Sequence, residues 1–179
     1  MRVLGIDPGS RRTGWAIVER QANRFVVVAS GVILTDPDDP MPTRLRVIHE
    51  GLRDVVLAHG PCAAALEEIF AHKSAASALV LGQARGVAML AVAALPLSTY
   101  NASSIKKTVT GNGAADKAQV GRMVTVLCGE SPRVADEADA IAIAITHHNH
   151  ALVPAARSTK RPRGRDMWTE IARRAGAIP

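Results

Sequence analysis

MRVLGIDPGSRRTGWAIVE, residues 1–19, decides the fold. The apolar run Val3-Leu4-Gly5-Ile6 stops at Asp7 and the turn pair Pro8-Gly9, so a strand ends there with a carboxylate at its C-terminal edge. Thr13 to Glu19 and Phe25 to Gly31 are two more β-type runs, joined through short Gly/Ser/Arg and Gln/Asn connections. Three such runs in succession predict an antiparallel meander.

Outward from the meander the pattern changes period. Thr35 to Pro40 is an acidic, proline-rich loop whose carboxylates read as solvated. Leu45, Ile48, Leu52, Val55 and Val56 then recur at helical spacing up to Gly60-Pro61. The run Cys62 to Leu66, closed by Glu67, has two readings. It is a strand ending in an acid, or, on alanine's poor β-propensity, part of one long helix with Ser74 to Ala94 in which Glu67 and Glu68 are a solvated face. In that later helix Ala75, Ala78, Leu79, Gly82, Gly86 and Leu90 form a stripe of small and apolar residues, suited to internal packing or to a dimer seam.

Leu95 to Tyr100 reads as a fifth strand, Asn101 as an N-cap, and Ser104 to Val109 as a short helix. A further helix starts from Asp116. The last helix is expected from Pro132 to His148, with Ser131 as N-cap and Pro132 in the first turn, which sets Asp136 and Asp139 on one face. Antiparallel strands followed by helices alternating with strands predict an α/β sandwich of mixed topology, with ligands at the carboxyl ends of its strands.

Bulk properties bound the function. A chain of 179 residues that is 47% hydrophobic can bury one core, which predicts a single domain with extensions. Cys62 and Cys128 sit in apolar contexts without metal-type spacing and read as reduced core residues of a cytoplasmic protein. Met1 to Leu4 runs straight into a strand, so no secretory leader is expected, and Gly86 to Leu95 is too short to cross a bilayer. The formal charge is +6, and residues 151–179, with seven basic against two acidic side chains, carry a net +5 of it. Residues 1–150 are therefore read as the working domain, and 151–179 as a basic tail attracted to phosphate or simply solvated.

Four acids carry the chemistry: Asp7, Glu67, Asp136 and Asp139. If they converge without cations between them they repel one another, and hard oxygen ligands of this kind suit Mg²⁺ or Mn²⁺ bridging a phosphate.

MRVLGIDPGSRRTGWAIVE, LEEIFAHKSAASALVLGQARGVA (66–88), SIKKTVTGNGAADKAQV (104–120) and ADEADAIAIAITHH (135–148) resemble, in order, the motifs of the RuvC family of Holliday-junction resolvases. The resemblance covers residue 1 to about residue 150. It implies a ribonuclease-H-like fold with a mixed five-stranded sheet flanked by helices, a homodimer, and Mg²⁺- or Mn²⁺-dependent cutting of two symmetry-related strands of a four-way DNA junction. It assigns the metal-binding tetrad to Asp7, Glu67, Asp136 and Asp139, with two cations per subunit, and so favours the strand reading of Glu67. Glu68 and Glu137 match no catalytic position. Lys106 and Lys117 match lysines that support cleavage, with Lys107 beside them, while Lys73, Arg85 and Asn112 are candidates for the DNA-facing surface. Phe70 is either a wedge at the junction or a core residue folded back onto the sheet. His147 and His148 read as structural or surface residues. The resemblance also implies cooperation with the branch-migration proteins RuvA and RuvB.

Asp7-Pro8-Gly9-Ser10 with Thr13-Gly14 is also similar to the first phosphate loop of sugar kinases and actin-like ATPases. Those enzymes close a second comparable domain over the nucleotide, and this chain is too short to hold one. A protein that only binds junctions would not require all four acids.

Overall fold

The structure, a computed structural model, describes residues 1–22, 24–68 and 74–151. Phe70, Lys73 and the tail beyond Ala151 lie outside the described residues. The strands are β1 (Arg2–Asp7), β2 (Arg12–Gln21), β3 (Arg24–Leu34), β4 (Ala63–Glu67) and β5 (Leu97–Tyr100). The helices are α1 (Met41–His59), α2 (Ala75–Ala91), α3 (Ala102–Thr110), α4 (Lys117–Cys128) and α5 (Ala135–Ala151). One sheet runs in the order β3-β2-β1-β4-β5, antiparallel across the meander and parallel from β1 to β4 to β5.

β1 is central and buried on both faces, which is why its sequence is continuously apolar where the edgeward strands are mixed. Side chains alternate along it. Leu4 and Ile6 pack with Ile48, Leu52 and Ala88 from α1 and α2, whereas Val3 joins Ile141 and Ile145 of α5 with Val120 and Val124 of α4. The result is three layers, with α1 and α2 on one face of the sheet and α5, backed by α3 and α4, on the other. Every residue of α5 from Ala140 to Thr146 is buried, as an Ala/Ile-rich helix held between a sheet and two more helices must be.

The alanine-rich run after Pro61 is a strand, not the start of a long helix. Its backbone is taken up on both sides by β1 and β5, and Ala63 to Leu66 are all buried, so small side chains let two faces close on it. The last helix begins at Ala135, three residues later than the Ser131-Pro132 signal indicated. Glu137, its third residue and itself buried, reaches back to accept a hydrogen bond from the Arg133 amide at 3.0 Å, and this local cap fixes the start. Of the two cysteines, Cys62 is not a core residue, whereas Cys128 packs against the edge of the core around α5. Cys62 is exposed just ahead of β4, with its thiol directed at the Arg2 carbonyl, and Cys128 is half-buried at the end of α4, where burial pushes its thiol up to about 11.

Candidate active site

Period-two alternation places the first two acids. Val3 and Ala65 face α5, so Asp7 and Glu67, each an even number of residues further along its strand, face α5 as well. They follow the register partners Ile6 and Leu66 on neighbouring parallel strands, which puts their backbones about 4.8 Å apart at the carboxyl edge of the sheet. The other two acids come from the first turns of α5, which lies across β1 and β2 with no room to spare. A Cβ on Gly5 would run into the Ala140 carbonyl oxygen, and one on Gly14 would run into that of Asp136. Gly14 pairs with Asp7 in the sheet, so this close approach brings the start of α5 to the strand end that carries Asp7.

An open cleft results, lined by Asp7, Glu67 and Asp139 together with Lys106 of α3 and Lys117 of α4. Burial, then the Asp139 and Glu67 carboxylates, pushes Asp7 from its ordinary value of 3.8 up to about 7. Glu67 is raised too, first by burial and then by Asp139, against the opposing pull of Lys117 and Lys106. Lys117 Nζ donates to Asp139 Oδ2 at 2.9 Å, and this bond holds the ammonium above its usual range. Asp136, although close enough to act on Asp7, does not line the cleft. Its Oδ2 accepts a hydrogen bond from Arg12 Nε at 2.7 Å.

The remaining sequence candidates fall in different places. Lys107 is exposed on α3 and outside the cleft, and Asn112 is used locally, its Oδ1 accepting from the Ala114 amide at 3.0 Å. Arg85 is turned inward: its Nε donates to the Glu67 carbonyl oxygen at 3.2 Å, so it braces the end of β4. Glu68 accepts from the Thr99 hydroxyl at 3.1 Å, on the opposite side of the strand from Glu67. His148 is buried and donates from Nε2 to the Val18 carbonyl at 2.9 Å, and His147 pairs through Nδ1 with the Tyr100 hydroxyl at 3.0 Å. Neither histidine lines the cleft, and burial lowers both.

Sequence reasoning missed Arg12, which is 124 residues from its partner, and Arg44. The Arg44 guanidinium is buried, and its Nη2 donates to the Ser10 carbonyl at 2.5 Å, where the Thr35 hydroxyl also donates at 2.6 Å. Together they clamp the turn that follows Asp7. The only available signal was an arginine on the apolar face of α1, at helical spacing with Ile48.

The donor set suits a hard divalent cation. Four carboxylates gather, burial disfavours the charge of Asp7 and Glu67, and only two basic side chains are paired with the four among the described residues. The carboxylates do not form a ready-made cage: among the described residues no three acid, histidine or cysteine side chains are grouped closely enough to hold a metal as they stand.

Comparison with known proteins agrees with this architecture. The family model for crossover junction endodeoxyribonuclease RuvC matches residues 3–147. A protein of that name from Bradyrhizobium diazoefficiens is 48% identical over 160 residues, covering 88% of this chain and 91% of its own. One from Gluconacetobacter diazotrophicus is 50% identical over 153 residues, covering 84% and 91%. The solved structure of T. thermophilus RuvC in complex with Holliday junction substrate matches with a TM-score of 0.79 at 34% identity, covering 84% of this chain and 94% of that one. The yeast mitochondrial Holliday junction resolvase Ydc2, at 14% identity and a TM-score of 0.60, shares the fold. From the strand-end acids, the helix laid over them and this match along nearly the whole described domain, the chain belongs to the RuvC family of crossover junction endodeoxyribonucleases.

Proposed function

We propose that the cleft between β1, β4 and α5 is where this endonuclease hydrolyses two symmetry-related strands of a four-way DNA junction, leaving 5′-phosphate and 3′-hydroxyl ends. One observation carries the reading. Asp7 and Glu67 stand side by side at a strand edge, desolvated and without an ionic partner among the described residues, facing the acids of α5. Asp7, Glu67, Asp136 and Asp139 are the residues that would hold Mg²⁺ or Mn²⁺, two per subunit. When bound, such cations supply Lewis-acid stabilisation of the attacking and leaving oxygens of an in-line displacement.

The chain's own part is to position. The rigid strand ends fix the backbones of Asp7 and Glu67, and the buried helix fixes those of the other pair, so any rearrangement is confined to side chains. Lys106 and Lys117, on the rim of the cleft, take the phosphate oxygens and the negative charge that develops on them. Lys107, Asn112 and, outside the described residues, Lys73 and Phe70 extend the DNA-facing side, with Phe70 as a wedge at the junction centre. Residues 1–150 act as the nuclease unit and 151–179 as its basic extension.

Two equivalent cuts call for two equivalent sites, and a homodimer meets that requirement with one interface. The exposed face of α2 suits it: Leu79 and Leu90 are 66% and 65% exposed, and nothing lies within 4 Å of a Cβ placed on Gly82 or Gly86. Such exposure supports the dimer-seam reading of the stripe over internal packing. Family membership supports cooperation with RuvA and RuvB and a cytoplasmic location. Among the described residues no helix is long and apolar enough to cross a membrane.

The test is Asp7→Asn on a labelled junction. Binding should survive while Mg²⁺-dependent cleavage falls by more than the roughly 10- to 100-fold typical of losing an outer-shell partner. Mg²⁺-dependent nicking retained by that variant would refute the assignment.

A further inference from the structure

We infer that Arg12 is an internal counter-ion standing in for a divalent cation at Asp136, and that its side chain must leave before a cation is held on the α5 side of the site. The inference deepens the metal-dependent reading above and rests on it. The four acids are treated unequally: Arg12 Nε sits 2.7 Å from Asp136 and Lys117 Nζ 2.9 Å from Asp139, while Asp7 and Glu67 have no ion pair among the described residues. Lys117 borders the cleft, where a phosphate can draw it off. Arg12, at the start of β2, pairs with Asp136 outside the cleft, and neither residue lines it.

Only its side chain can move. The Arg12 backbone is paired in register with Leu34, and Ser10, two residues earlier, is clamped by Arg44 and Thr35. A guanidinium does not lose its proton in a protein, so raising the pH does not relieve the pairing. The Oδ2 lone pair that accepts its N–H is closed to a cation while the pair holds, and the guanidinium's own charge repels a cation from the rest of that carboxylate. The pair is nonetheless a weak latch, because the Arg12 side chain is 48% exposed and that of Asp136 27%, and exposed pairs are easily separated. Arg12 thereby sets how much cation the α5 side needs before it fills.

The test is Mn²⁺ binding to the full-length protein without DNA, read from the free-ion electron paramagnetic resonance signal at neutral pH. Arg12→Gln should tighten apparent Mn²⁺ affinity about 2- to 5-fold, the range set by releasing an exposed ion pair. Arg12→Lys should lie between it and the wild type. Arg11→Gln removes the same charge one residue away and should leave affinity unchanged. Asp7→Asn should weaken binding. Affinity that is unchanged or weaker in Arg12→Gln, or equally tightened by Arg11→Gln, overturns the inference while the Asp7→Asn loss leaves the metal site standing. If Asp7→Asn binds Mn²⁺ as the wild type does, the metal-site reading fails and takes the inference with it.

Discussion

The two halves of the acid cluster differ in how they are built and in what balances them. Asp7 and Glu67 sit on adjacent strand ends, held by sheet register, desolvated and without internal cations among the described residues. Asp136 and Asp139 sit on a helix, and each is held by one basic side chain. The strand half thus has no internal counter-ion among the described residues, whereas the helix half is already compensated and, on the proposed metal-dependent reading, would exchange one partner for another.

The largest effect should separate the halves. Glu67→Gln is expected to lower Mn²⁺ affinity and junction cleavage by more than about 100-fold, beyond what losing an outer-shell partner costs, and by more than Asp136→Asn does. Calorimetric titration of the two variants checks this, and a larger loss in Asp136→Asn would reverse the assignment of roles.

Next comes the contact that brings the halves together. Gly14→Ala should push the Asp136 backbone off β2, costing about 1–3 kcal/mol as overpacking does and lowering cleavage with it. Urea unfolding midpoints beside junction cleavage rates measure both. Unchanged stability would mean that α5 does not bear on that strand.

The strand half also predicts a pH dependence in the metal-free protein. Asp7 is raised from 3.8 to about 7, so between those values the folded chain holds a proton that the unfolded chain has released. Stability from this group therefore falls as pH rises through that window and stays low above it. In EDTA, the stability advantage of Asp7→Asn over the wild type should be larger at pH 8 than at pH 5, measured by urea midpoints. Parallel profiles would show that Asp7 is not desolvated.

The smallest effect is expected next door. Glu68→Gln lies one residue from Glu67 but on the other side of β4, bonded to Thr99, and should change stability by no more than about 0.5 kcal/mol and leave cleavage intact. A cleavage loss comparable to that of Glu67→Gln would place the wrong acid in the cleft.

What the chain reveals about itself follows the range of the interactions. The meander, the α1 stripe and the Asp116 cap are local, and each reads directly from periodicity and turn chemistry. The start of α5 misled because Ser131-Pro132 is a sound cap signal that the Glu137 carboxylate, bonded to the Arg133 amide, overrules. Cys62 looked like core because its neighbours are apolar, yet β4 begins one residue later. Among the acids, motif resemblance singled out which four to examine, but not their arrangement. That Asp7 and Glu67 are register neighbours depends on a parallel pairing across some sixty residues, and that Asp136 belongs to Arg12 depends on the close passage allowed by Gly14. Nothing local marks Gly5 and Gly14 as the places where a helix must touch a sheet.

The most direct test of the shared site is a crystal of the protein soaked in Mn²⁺ and read by anomalous scattering. Anomalous peaks within coordination distance of Asp7, with Glu67 on one side, Asp139 and Asp136 on the other and the Arg12 side chain turned out, are the predicted result. No peak at Asp7, or Mn²⁺ held elsewhere with the four acids left as they are, would contradict it.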